Sequence, residues 1–203
     1  MERQDLIFYG EYAPKLEEIK GLLLTEIQSM LDTLGSDSET AVAEHIKCRI
    51  KGADSLKEKL RRYGLEETAE NGLRYLSDLI GVRVITHFVG DIYEVLDLIK
   101  SSPHWKVKMI KDYIANMKPN GYRSLHIILT LPFGVGGIDT IDAEIQLRTI
   151  AMDCWASLEH QLKYKKTVKN TSLIVDELKR CADEMASTDL TMQTIRDLIR
   201  KER

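Results

Sequence analysis

The sequence predicts an α/β or α+β domain with helices at both ends. Two observations carry this. Apolar residues switch repeatedly between helical spacing and strict alternation, which gives four or five strands with helices between them. The first and last periodic stretches, Glu11 to Leu34 and Leu173 to Ile199, are both helical in spacing.

In the first stretch Leu16, Ile19, Leu23, Ile27, Met30 or Leu31, and Leu34 share a face, and Gly35 is a natural stop before a polar connection that ends at Thr40. From Glu44 to Lys51 the period becomes two: Ile46, Cys48 and Ile50 point one way, Lys47, Arg49 and Lys51 the other. Gly52 breaks this strand. Asp54 opens a helix in which Ser55 and Glu58 have capping-box spacing, Leu56, Leu60 and Tyr63 form the apolar face, and Ser55, Lys59 and Arg62 line another. Gly64 ends it.

Asn71 to Ile80 reads as a short helix or turn carrying Asp78, Val82 to Phe88 as a β-branched strand, Asp91 to Ser101 as a helix, and Trp105 to Tyr113 as a less regular strand. The turn Lys118-Pro-Asn-Gly then leads into a β-rich run ending at Leu131, with Tyr122, Ser124, His126 and Ile128 on one side. Leu131 to Asp139 is glycine-rich but has neither Rossmann nor P-loop spacing, so a flexible hairpin connection is expected. Ala143 to Thr149 is an amphipathic strand in which Glu144, Gln146 and Arg148 alternate with Ile145 and Leu147. A helix follows from Ala151 to Lys165, its apolar stripe including Trp155 and a second face including Asp153. The C-terminal helical segment is expected to be interrupted at Thr188-Asp189.

At 203 residues the chain suits one domain, 1–203, with a core over about 44–166, an N-terminal helix over 11–34 and a C-terminal helical segment over 171–201. A net charge of −3 argues against a general polyanion-coating protein, DNA included, so any basic site must be local. The three cysteines are scattered without C-x-x-C spacing, which points to free thiols rather than zinc or disulfides. With no membrane-length apolar run and a charged start, the sequence reads as cytoplasmic.

Between Lys47 and Arg62 basic residues are sorted onto one strand face and one helix face, with a helix N-terminus between them. That arrangement favours a polyphosphate, and RNA is the rival ligand for the same charges. Asp78 and Glu144, bordering adjacent strands, are candidate Mg²⁺ ligands, because Mg²⁺ takes one or two carboxylates and completes its shell with water and phosphates. Tyr122 and His126 beside Lys118 suit a flat base attached to phosphates. A serine-hydrolase reading of Ser124 and His126 fails for want of a G-x-S-x-G elbow and an orienting carboxylate. Metal-assisted phosphoryl or nucleotidyl transfer is the chemistry these residues support.

Lys118-Pro-Asn-Gly-Tyr-Arg-Ser-Leu-His126, Ala143-Glu-Ile-Gln-Leu-Arg-Thr149 with its continuation to His160, Arg49-Ile-Lys-Gly-Ala-Asp-Ser55 with Lys59 and Arg62, and Asp78-Leu-Ile-Gly-Val-Arg83 stand in one order along the chain. In this the sequence resembles the RelA/SpoT-type alarmone synthetases, especially the small single-domain members. The resemblance implies an α+β, nucleotidyltransferase-like mixed β-sheet core flanked by helices. It implies transfer of the β,γ-pyrophosphate of ATP to the 3′-hydroxyl of GDP or GTP, and GMP is an open alternative acceptor. Carried onto this chain, Arg49 and Arg83 flank adenine, and Lys51, Ser55, Lys59 and Arg62 hold the ATP phosphates. Asp78 and Glu144 are the catalytic acids and Mg²⁺ ligands. Tyr122 stacks on guanine, Lys118 and His126 approach the acceptor phosphates, Gln146 nears its ribose, and Asp153 meets the guanine edge.

Many such relatives have Asn where this chain has Asp153, and Phe where it has Cys154. The longer ones add a His-Asp hydrolase domain, and this sequence contains no His-Asp dipeptide, so synthesis without hydrolysis is expected. A homo-oligomer, with a tetramer favoured, and regulation by single-stranded RNA also come with the resemblance. Lys20 matches part of the allosteric alarmone site of the small members, but His45 and Lys47 do not match its usual lining. The alternative reading is a catalytically weak alarmone- or RNA-binding module of the same fold.

Overall fold

The computed structural model describes residues 1–38, 41–163 and 171–202. The helix end expected at Lys165, the core boundary at 166 and Thr40 lie outside them. In chain order come α1 (Arg3–Tyr9), a 3-10 turn (Gly10–Tyr12), α2 (Ala13–Ser38), β1 (Ala43–Ile50), α3 (Ala53–Arg62), α4 (Ala69–Tyr75), β2 (Ile80–Thr86) and α5 (Val89–Ser101). Then follow β3 (Lys106–Asp112), β4 (Leu125–Val135), β5 (Ile138–Thr149), α6 (Ile150–Lys163) and α7 (Thr171–Lys201). The five strands form one sheet in the order β1-β2-β5-β4-β3. Among the described residues only the β2–β5 ladder is parallel. This is the expected α+β architecture, a mixed sheet with helices added at each end.

Register turns the alternation of each strand into a two-sided sheet. Cys48 pairs with Val82, Val82 with Ile145 and Ile145 with Ile127, so one apolar row crosses four strands. Ile46, Val84, Leu147 and Leu125 make the next row. This side belongs to a single core with Leu16, Ile19, Leu23, Ile27 and Leu31 of α2 and Ile92, Val95 and Ile99 of α5. Each fully buried aliphatic side chain there contributes roughly 1.5–3 kcal/mol of transfer free energy. The core therefore fixes which side of the sheet remains polar.

Four local expectations are corrected. The N-terminal helix runs three residues beyond Gly35 to Ser38, with the Ser36 hydroxyl donating to the Asp32 carbonyl at 2.8 Å. The capping box on α3 does not form, because the N-cap is Gly52, and Asp5 of α1 accepts the Ala53 N–H at 2.8 Å instead. Residues 131–139 are an ordered hairpin, not a flexible connection: β4 and β5 are joined by Gly136 and Gly137, both at positive φ (59° and 72°), which is what a tight two-residue turn demands. Leu131, Phe133 and Ile138 bury its flanks. Finally, α7 is continuous through Thr188-Asp189. Thr188 donates back to the Glu184 carbonyl at 3.1 Å, and Asp189 turns inward to accept from Thr149 Oγ1 at 2.6 Å. Among the described residues no helix is long and apolar enough to cross a membrane.

Candidate functional site

The polar side of the sheet carries the candidate residues because the register stacks them. Lys47 pairs with Arg83, Arg83 with Gln146 and Gln146 with His126; one row along, Arg49 pairs with Gly81 and Gly81 with Glu144. A cleft of about 430 Å³ opens over these rows, lined by Lys47, Arg49, Lys51, Asp78, Arg83, Glu144 and Gln146 among others. Gly81 supplies no side chain between Arg49 and Glu144, and a Cβ there would meet open space.

At the β1–β2 end, Asp78 lies in the turn before β2, its carboxylate held between Lys51 Nζ at 2.9 Å and Lys59 Nζ at 2.8 Å. Lys59 points there because Leu56 and Leu60 bury the opposite side of α3. The Lys51 backbone is fixed on both sides, its N–H donating to the Leu79 carbonyl at 2.8 Å and its carbonyl accepting from the Tyr9 hydroxyl at 2.5 Å. Burial pushes the Asp78 carboxyl up, but the Lys59 and Lys51 ammonium groups outweigh it and leave the group below the usual carboxylate range. Ser55 and Arg62 are exposed and do not line the cleft; Arg62 lies 3.8 Å from Glu58.

At the β5–β4 side a closed circuit of hydrogen bonds joins five side chains. Arg148 Nη2 donates to the Tyr122 hydroxyl (2.7 Å) and to Gln146 Oε1 (3.1 Å). The Tyr122 hydroxyl is 2.8 Å from His126 Nε2, and His126 Nδ1 is 2.9 Å from Glu144 Oε1. Gln146 Nε2 donates to Glu144 Oε2 at 2.7 Å and closes the loop. Burial raises the Glu144 carboxyl, but His126 and then Gln146 pull it below the ordinary range, against a smaller upward push from Asp78.

Asp153, in the first turn of α6, accepts from Arg148 Nη1 at 2.9 Å, and Arg83 Nη1 is 3.4 Å from the same oxygen. Lys118 Nζ stands over the rings of Tyr113 (4.5 Å) and Tyr122 (4.9 Å). Trp155 is buried and donates its indole N–H to the Leu178 carbonyl of α7, so it packs.

The structure thus gathers Arg49, Lys51, Lys59, Asp78, Arg83, Glu144 and Gln146 around one cleft, with Lys118, Tyr122, His126 and Asp153 alongside. Sequence reasoning missed Arg148, Tyr113 and Asp5. For Arg148 the signal was present, since alternation puts it on the side of Glu144 and Gln146. Among the described residues no group of three or more His, Cys, Asp or Glu forms a metal cage. What the cleft offers is two carboxylates below their usual range, Asp78 between two lysines and Glu144 beside His126 and Gln146, a donor set suited to a hard cation that shares its shell with phosphates.

Residues 48–169 match the region found in RelA/SpoT proteins. The chain is 43% identical over 141 residues to the GTP pyrophosphokinase YwaC of Bacillus subtilis, covering 69% of this chain and 67% of that one. It is 30% identical over 190 residues to the GTP pyrophosphokinase YjbM of the same organism, covering 93% and 87%. The structure of small alarmone synthetase 1 from Bacillus subtilis bound to its product pppGpp matches with a TM-score of 0.79 at 29% identity, covering 98% of this chain and 99% of that one. With a family region spanning most of the chain and a shared fold over nearly its whole length, the protein belongs to the RelA/SpoT family.

Proposed function

We propose that this protein is a GTP pyrophosphokinase that moves the β,γ-pyrophosphate of ATP to the 3′-hydroxyl of GDP or GTP. The observation that carries the reading is the pairing of Asp78 with two lysines opposite a Glu144 held ionised by His126 and Gln146. A protein that only binds nucleotides or RNA needs neither acid in that state.

The transfer balances simply. A bond forms between the acceptor 3′-oxygen and the β-phosphorus, the bond from that phosphorus to the α–β bridging oxygen breaks, and AMP leaves with the bridging oxygen. Glu144 accepts the 3′-hydroxyl proton. Arg49 and Arg83 flank the donor base. Lys51 and Lys59 turn to the donor phosphates, where charge develops during attack, and Ser55 and Arg62, exposed on the same helix as Lys59, reach them from outside the cleft. Tyr122 stacks on the acceptor base, which is worth roughly 1–3 kcal/mol. Lys118 and His126 serve the acceptor phosphates, Gln146 its ribose and Asp153 the guanine edge. Mg²⁺ fits Asp78 and Glu144 and would supply charge neutralisation on the transferred group.

The same reading takes residues 1–203 as one synthetase domain, cytoplasmic, with GMP a further acceptor and single-stranded RNA a regulatory ligand. Free Cys48, Cys154 and Cys181 fit a reducing compartment. Exposed Leu190, Met192, Ile195, Leu198 and Ile199 on α7 support a homo-oligomer, with a tetramer favoured. The test is to incubate the purified protein with ATP, Mg²⁺ and GMP, GDP or GTP and to resolve the products by chromatography. AMP and a 3′-pyrophosphorylated guanosine nucleotide should appear in equal amounts. Neither product with any acceptor would overturn the reading.

A further inference from the structure

We propose that Arg148 is the positioning residue of the acceptor side, setting the direction of the hydrogen bonds that run through Tyr122 and His126 to Glu144. The assignment rests on the pyrophosphokinase reading for its consequence in turnover, and on geometry alone for the hydrogen-bond direction.

Arg148 is 5% exposed and touches no open part of the cleft. Its guanidinium nevertheless spends its donors on the groups that surround the reacting end: Tyr122 and Gln146 through Nη2, Asp153 through Nη1, and Ser124 through Nε at 3.4 Å. A guanidinium only donates. The Tyr122 hydroxyl therefore accepts from Arg148, and beside a neutral His126 ring it gives its single proton to Nε2. With that nitrogen accepting, the imidazole proton stands on Nδ1 and faces the Glu144 carboxylate. Gln146 is oriented in the same way. Its amide oxygen accepts from Arg148, so its amide nitrogen must face Glu144 Oε2. Both oxygens of Glu144 are thus supplied with donors along paths that begin at one buried cation.

Lysine cannot take this place, because a single ammonium lacks the planar fork that reaches Tyr122, Gln146 and Asp153 together. Asp153 ties the guanidinium to the first turn of α6, and Ser124 fixes its Nε against β5 through its own hydroxyl, which donates to the Leu147 carbonyl at 3.2 Å. The arrangement is a fixed frame behind Tyr122 and Glu144, of the kind that preorganised sites need.

The test uses Arg148→Gln, Arg148→Lys and Tyr122→Phe in the full chain. Arg148→Gln should lower kcat by about 10–100-fold, the usual cost of losing an orienting partner, and raise the acceptor KM while the ATP KM stays within about twofold. Arg148→Lys should recover little of the kcat. Tyr122→Phe keeps the stacking ring and cuts the same path, so it should lower kcat with the acceptor KM near wild type. The double variant should be no worse than Arg148→Gln alone. The nitrogen-15 shifts of the His126 ring should report an Nδ1–H tautomer in the wild type and lose that preference in both single variants. Wild-type kcat in Arg148→Gln, or an unchanged His126 signature, overturns the proposal. Should Arg148→Gln fail to fold, Tyr122→Phe decides by the same two readouts. An inactive wild type would overturn the pyrophosphokinase reading, and the His126 signature would still decide this one.

Discussion

The carboxylate of Asp5 accepts the backbone N–H of Ala53 at 2.8 Å, so an acidic side chain from the N-terminal helix sits on the first turn of the helix that carries Ser55, Lys59 and Arg62. An anion is already seated where sequence reasoning placed the N-terminal pull of α3 on phosphate. The contact stabilises α3 and opposes the incoming negative charge at once.

Substitutions separate the two effects. Asp5→Asn keeps an accepting oxygen and removes the charge, so it should leave the melting temperature near wild type and lower the KM for ATP, most visibly at low salt. Asp5→Ala loses the cap and should cost about 1 kcal/mol of stability. Thermal melts and ATP titrations of the two variants check this.

Glu144→Gln should cut AMP release by about 10²–10⁴-fold, the usual contribution of a positioned base, while both nucleotides still bind in calorimetry. Chelating Mg²⁺ should stop turnover without unfolding the protein. Asp78→Asn should lose the Mg²⁺ response too, and it leaves Lys51 and Lys59 without their counter-charge.

Gly121 stands at φ 88°, and a Cβ on it would lie 2.7 Å from Ala182 Cβ and 3.1 Å from Lys179 Cα of α7. Gly121→Ala should therefore cost about 1–3 kcal/mol in strain and push the 118–122 turn off α7. The acceptor KM should rise while the ATP KM holds, since the ATP-side residues lie on β1, α3 and β2. Steady-state kinetics with each substrate varied in turn would show the split.

Burial raises the Asp189 carboxyl above its ordinary value, the Thr149 hydroxyl only partly countering it. A folded-state value above the unfolded one means the fold holds that proton more tightly. Its contribution is present below about pH 4 and is lost as pH rises through the raised value. Asp189→Asn retains an acceptor for Thr149 Oγ1 and has no charge to bury. Plotted against pH, the difference in melting temperature between variant and wild type should grow in the variant's favour from pH 4 towards 7.

Much of this was legible in the chain. The alternation of Lys47, Arg49 and Lys51, and of Glu144 and Gln146, specified which side chains face together, because a strand's period leaves only two sides and the core claims one. Pairing was not legible: nothing local says that Arg83 lies between Lys47 and Gln146. The same limit hid the partners of Arg148, which come from the stretch before β4, from β5 and from the start of α6. Asp5 was hidden because α1 precedes the first clear apolar period. The break expected at Thr188-Asp189 followed propensity, and a tertiary partner on Thr149 overrode it.

The β2–β5 ladder brings Ile80 beside Ala143, and it is the one place where the strand carrying Arg83 meets the strand carrying Glu144. Every residue between them, a helix, an edge strand and a hairpin included, has to be threaded before that seam can zip. A chain regaining its shape from denaturant should recover helical signal early and catalytic competence late, at the pace of its most distant pairing. Enzymatic burst size during renaturation would then serve as a clock for closure of that seam.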